Sequence, residues 1–123
     1  MKYAIIIARV LLGITFVVFG SNAFLHFIPM PPMQGQAGAF IGALMSSGYI
    51  YVVAGLQVVG GLLLLVGRFI PLGLTLLGPV IVNIMLYHIF LDPSGLTLAC
   101  VISILALFLF LAHRDRFHAI FRP

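Results

Sequence analysis

Charge is the scarcest property of this sequence. Only 7% of its 123 residues are charged, and its acids are just Asp92 and Asp115. Soluble domains carry roughly a quarter charged residues. Tryptophan is absent and cysteine occurs once, as Cys100. One cysteine excludes an internal disulfide and any CxxC redox pair. The chain has no paired carboxylates, no Ser/His/Asp arrangement and no phosphate-binding glycine loop. A self-sufficient catalyst is hard to assemble from what remains.

What is present in quantity is apolar surface, 63% of all residues. A soluble fold of this size leaves too much of its surface in water to hide that fraction. A lipid bilayer removes the conflict. The expectation is an all-α fold: a single membrane domain over residues 1–123, built as a four-transmembrane-helix bundle with antiparallel neighbours.

A helix crosses the hydrocarbon with about 20 apolar residues. The first such run is 4–28, stopped by Pro29-Met30-Pro31-Pro32, where proline removes the backbone donor and blocks continuation. It is too long for the apolar region of a signal peptide, and no small-residue cleavage site follows. The second run is 49–66, closed by Gly67-Arg68. The third is 69–91, closed by Asp92-Pro93-Ser94-Gly95, and the fourth is 96–112, closed by His113-Arg114-Asp115-Arg116. Between the first two lies Gln34–Ser47. There Phe40, Ile41, Leu44 and Met45 recur at helical spacing. That pattern suits a short helix lying in the membrane interface, with an ordered loop as the alternative. Leu11-Leu12-Gly13 and Leu76-Leu77-Gly78 open similar stretches, a faint sign of a parallel repeat.

The net charge of +4 does not mark a nucleic-acid groove. The cations Lys2, Arg9, Arg68, Arg114, Arg116 and Arg122 cluster at the ends of apolar runs. Four spans place all of them on or near one side, and none in the Pro29–Ser47 connection or the Asp92–Gly95 turn. By the positive-inside rule both termini are cytoplasmic, in a multi-pass protein of a prokaryotic cell membrane. The tail from Phe117 to Arg122 mixes aromatics with bases, as expected of a segment resting on the inner interface.

Polar residues inside the spans need a reason, because such groups normally face the bundle interior. Asn22, Gln57 and Asn83 fall at roughly 9–14 Å from the outer surface, in one layer. His26, Tyr87 and His88 lie nearer that surface, with Asp92 in the turn. Two readings stay open. The layer is either interhelical glue or the lining of a pocket open to the outer leaflet, shaped for a polar head on an apolar tail, such as a quinone. His26, His88 and Asp92 could supply three metal ligands, but their spacing matches no compact metal motif. Histidines bonded to neighbours or water are the simpler reading, and no metal is expected. Arg9, well inside span one, can snorkel to the inner head groups or meet helix C-terminal carbonyls.

Two stripes carry small residues at helical spacing: Arg9, Gly13, Phe16 and Gly20, and Gln57, Gly60, Gly61, Leu64 and Arg68. Glycine lets backbones approach closely in lipid, so both stripes are expected to face the core. Cys100 and Ser103 mark the inward side of span four, Cys100 as an inert packing residue.

At these residues the chain resembles the DoxX family of small four-helix membrane proteins, over nearly its whole length. The resemblance rests on Arg9, Gly13, Phe16 and Gly20, and on Gln57-Val58-Val59-Gly60-Gly61 followed by leucines up to Gly67. It extends to Phe40–Gly48 and to His88-Ile89-Phe90-Leu91-Asp92. Many members resembling this pattern carry Lys where Ala23 stands and Glu where Gln57 stands. Here both charges are missing together, which is much less costly than losing one partner of a pair. The resemblance implies a subunit associated with quinone-linked membrane redox enzymes, not catalytic alone, with quinone as the cofactor class. The alternatives are an oligomeric transporter or channel for a small solute, and a purely structural assembly partner. Expected partners are the bilayer, redox-enzyme subunits or further copies of this chain, and not nucleic acid.

Overall fold

The computed structural model describes residues 1–26 and 34–121. Five α-helices follow in order: α1 Lys2–Leu25, α2 Gly35–Ser47, α3 Tyr49–Val66, α4 Ile70–Phe90 and α5 Leu96–Ala112. Short 3-10 turns cover Pro93–Gly95 and Arg114–Phe121. Four segments are long and apolar enough to cross a membrane: Lys2–Leu25, Tyr49–Val66, Ile70–Phe90 and Pro93–Ala112. At about 1.5 Å per residue, 18 residues of α3 reach about 27 Å, close to the hydrocarbon thickness. The first span begins earlier than its apolar run suggested, and the last two residues of that run, 27 and 28, lie outside the described residues.

Each helix ends where its local chemistry dictates. Gly48 and Gly67 close α2 and α3 with φ of 82° and 80°, the left-handed conformation glycine adopts without strain. His26 and Phe69 adopt it too, with φ of 54° and 56°. His26 thereby brings its amide to the Asn22 carbonyl at 2.8 Å, capping α1. Phe69 lets the chain turn from α3 into α4 within three residues. At the far end of α4, the Asp92 carboxylate accepts from the Ser94 amide at 3.3 Å and hydroxyl at 2.6 Å. This local turn lets α5 start at once.

The four spans form a ring in chain order, each antiparallel to the next, with α5 returning to α1. The α1–α3 seam is the most extensive. It is set by glycine. A Cβ on Gly13 would sit 2.9 Å from the Gly61 carbonyl, and one on Gly61 would sit 2.9 Å from the Gly13 carbonyl. Gly20 meets the Ala54 carbonyl in the same way, at 2.9 Å. Gly60 faces α4 instead, where a Cβ would come within 3.2 Å of the Gly73 carbonyl. Successive helical residues point about 100° apart, so the Gly60-Gly61 pair gives α3 two close neighbours at one level. Arg68 shares the stripe spacing but lies beyond the helix end and is exposed.

The largest fully buried side chains are Leu12, Phe16, Leu64, Leu77 and Leu109, joined in the core cluster by Phe117 of the tail. The interfacial reading of the tail needs correcting at Phe117, whose ring packs 4.7 Å from that of Phe110. The suggested repeat also separates on inspection. Gly13 is pressed against a neighbouring backbone, whereas a Cβ at Gly78 would meet nothing within 4 Å.

Candidate ligand-binding site

Both termini and the α3–α4 turn lie at one end of the bundle, the basic end. The α1–α2 connection and the Asp92–Gly95 turn lie at the other, beside α2. The polar residues of the spans gather toward the α2 end, as their depths in sequence require, but they do not share one orientation.

Asn22 is the buried one, at 8% exposure, and is the only polar residue in the buried set among the described residues. It lies two positions past Gly20, one of the close contacts between α1 and α3. Gln57 belongs to the same contact, with its Cβ 3.0 Å from where a Gly20 Cβ would be. Gln57 is half-buried.

Tyr87 and His88 form a second group under α2. Phe40 of α2 stacks against Tyr87 with ring centroids 5.8 Å apart, and Tyr87 meets His88 edge-on at 5.0 Å. The His88 ring lies over Gly95, which has no side chain to displace it. Its Nδ1 is 2.9 Å from the Asp92 carbonyl oxygen. A carbonyl only accepts, so Nδ1 donates, and in the neutral ring Nε2 is left as an acceptor. Phe24 and Tyr51 pair at 5.4 Å in the same outer zone. Aromatic side chains with one polar end suit the membrane–water boundary.

Asn83 and His26 stand apart. Asn83 is exposed on the outside of α4, and its amide donates to the Pro79 carbonyl at 2.8 Å. Thr15, Thr75 and Ser103 bond to carbonyls four residues back in the same manner. A polar side chain that bonds its own helix needs no neighbour, so it can point to lipid. His26 is exposed at the α1 cap. Among the described residues, no group of three or more His, Cys, Asp or Glu could hold a metal ion, so His26, His88 and Asp92 do not converge.

Arg9 occupies the opposite end. Its guanidinium lies against Gly67, so close that a Cβ there would be 2.5 Å from Nη1. The positive group thus sits at the C-terminus of α3, where unpaired carbonyls carry partial negative charge. Its Nε is buried and has no hydrogen-bond partner among the described residues. The sequence alone is compatible with both snorkelling and a carbonyl contact for Arg9. The missing signal was Gly67, whose lack of a side chain makes room for the guanidinium.

Burial differs between the two ends. On α4, the buried residues run from Ile70 to Ile81, and none of the nine from Val82 to Phe90 is buried. α2 buries only Ala37. The basic end is closed by leucine, phenylalanine and glycine. The α2 end carries amides and aromatics beside the Gly20–Ala54 contact, and α4 buries nothing there beyond Ile81.

No curated protein and no solved structure gives a match to this chain. The DoxX family model matches residues 4–90, which takes in α1 through α4. By that match, over well more than half its length, this multi-pass helical membrane protein belongs to the DoxX family.

Proposed function

We propose that this DoxX protein is a non-catalytic membrane subunit that holds a small amphiphile of quinone type in the outward half of its bundle, in association with a membrane redox enzyme. The observation that supports this most is the contrast in burial along α4, which buries no residue from Val82 to Phe90, at the end of the bundle where Asn22 and Gln57 lie. An amphiphile's carbonyls or hydroxyls would meet the Gln57 amide and the Tyr87–His88 group. Its apolar tail would leave between the helices into lipid. The missing family charges suit a neutral head group, since Gln57 both donates and accepts without ionising. The basic end is assigned to the cytoplasm of a prokaryotic cell, on the placement of Lys2, Arg9, Arg68, Arg114 and Arg116.

The test is purification in mild detergent, extraction and chromatography for quinone, and thermal unfolding with an added short-chain quinone. Co-purifying quinone and a raised Tm that Gln57→Leu removes are expected. No quinone and no shift would overturn the reading and leave structural assembly, tested by crosslinking to a neighbouring oxidase or reductase. Orientation is tested separately. In a Cys100→Ala background, Ser46→Cys should react with an impermeant maleimide in intact cells, and Arg114→Cys should not.

Asn83 supports a second reading. One donor of its amide is bonded within α4, and its second donor and its oxygen would gain partners from another protein surface. A second copy of the chain, pairing α4 with α4, would cover it and would place two bundles side by side for solute passage. Liposome flux unaffected by Gln57→Leu and Asn83→Leu would sink that reading.

A further inference from the structure

At the basic end a groove of about 390 Å³ runs along the α4–α5 seam, away from the polar residues discussed above. Its walls are Leu74, Gly78 and Ile81 on α4 and Ala106 and Phe110 on α5, with Phe117 of the tail closing one end. The groove exists because two wall positions are small. Gly78 has open space where a side chain would be, and Ala106 offers only a methyl. The core continues beneath it through Leu74, Ile81 and Phe117, all buried. Along α4 the groove extends from Leu74 to Ile81, roughly 10 Å by helical rise. It opens sideways, past the exposed Leu107 and Ile120.

The lining decides the kind of occupant. Its hydroxyl, on Thr75, already donates to the Pro71 carbonyl at 2.7 Å. No other side chain of the lining carries a polar group. A ligand with a polar head inside the groove would lose its hydration and gain nothing in exchange. A hydrocarbon chain suits it. Phe117, which closes the groove, directly follows the exposed cations Arg114 and Arg116 in the tail, and Arg68 stands at the same end of the bundle. The only acid of the tail is Asp115.

We infer that the α4–α5 groove is a site for an anionic glycerophospholipid, with one acyl chain seated between Gly78 and Ala106 and the head group beside Arg114 and Arg116. The cations supply the preference for negative head groups, and the hollow supplies residence beyond that of bulk lipid. This site is independent of the outward amphiphile site, because the two share no residue.

Native mass spectrometry of the full chain in mild detergent tests it, with phosphatidylglycerol and phosphatidylcholine of matched acyl chains titrated in competition. Phosphatidylglycerol is expected to be retained over phosphatidylcholine by roughly fivefold or more, the scale of one basic group near an anionic surface. Gly78→Phe should fill the groove and abolish retention. Arg114→Gln/Arg116→Gln should keep a bound lipid and lose the head-group preference. Equal retention of the two lipids by the wild-type chain would overturn the inference without recourse to any variant. So would full phosphatidylglycerol retention by Gly78→Phe, or by Ala106→Leu if the first variant loses its helical circular dichroism.

Discussion

The two ends of this bundle solve the same problem in different ways. At the basic end, helices are held by contact: Gly13 on Gly61, Gly60 on Gly73, and Leu12, Leu64, Leu77 and Leu109 between them. At the α2 end a single glycine contact, Gly20 on Ala54, is joined by aromatic pairs and local turns, with Asn22 buried and Gln57 half-buried among them. In lipid, apolar side chains gain little from meeting each other rather than lipid tails, so close packing carries the association. The end that packs closely is therefore the stable platform. At the α2 end α4 buries nothing beyond Ile81, and it is there that the proposed amphiphile would meet the bundle.

The largest expected effect strikes the platform. Gly61→Leu would force a Cβ to within 2.9 Å of the Gly13 carbonyl and 3.0 Å of the Val17 amide nitrogen. Both are backbone atoms and cannot swing aside, so the loss should reach or exceed the roughly 1–3 kcal/mol typical of overpacking. The readout is the Tm in detergent or the yield of monodisperse protein. Gly55→Ala, in the same helix, meets nothing within 4 Å and should stay within about 0.5 kcal/mol of wild type. Equal losses from the two would break the contrast.

The next effect sharpens the other end. Gln57→Leu should leave the Tm of the ligand-free protein nearly unchanged while weakening a short-chain quinone by about tenfold, the scale of one lost polar contact. Thermal shift against ligand concentration separates the two quantities.

A smaller effect lies in the turns. Gly67→Ala and Gly48→Ala both place a side chain at positive φ, a penalty of roughly 1–2 kcal/mol. Gly67→Ala should fall further, because it also displaces the Arg9 guanidinium, whereas a Cβ at Gly48 has as its nearest neighbour Tyr51, 4.0 Å away. Equal Tm shifts would show that the Arg9 contact contributes nothing.

The smallest effect is at Asn83. Its side chain is bonded to its own helix and exposed, so Asn83→Leu should change monomer stability by no more than about 0.5 kcal/mol. A change in oligomeric mass with unchanged Tm would mark α4 as an intermolecular surface.

Much of this architecture could be read from the residues alone. Gly67 and Asp92-Pro93 interrupt apolar runs of membrane-spanning length, and four such runs with cations at one side define the bundle. The direction of single polar groups was harder to read. Asn83 falls at the depth of Gln57, yet it faces out, because a helix rich in leucine and valine on every side gives no phase to say which face is buried. The glycines posed the same problem. Gly61, Gly55 and Gly78 look alike in sequence, and only the neighbouring helix decides which is a contact and which an opening. The groove beside Gly78 required the tail to fold back and bury Phe117, a long-range event with no local signature.

The paired glycines of α3 also bear on how the molecule can move. A slide of α3 along α1 by one helical turn would bring Gln57 or Leu65 onto the Gly13 carbonyl, and a rotation would lose the fit to α4. The three helices α1, α3 and α4 are thus locked in one register, like a key seated in two wards at once. Any working motion, whether it admits a ligand or answers a partner, falls to the pieces outside that lock. Those are α2, which buries a single alanine, and α5, whose seam with α4 has a groove where the α1–α3 and α3–α4 seams have a glycine contact.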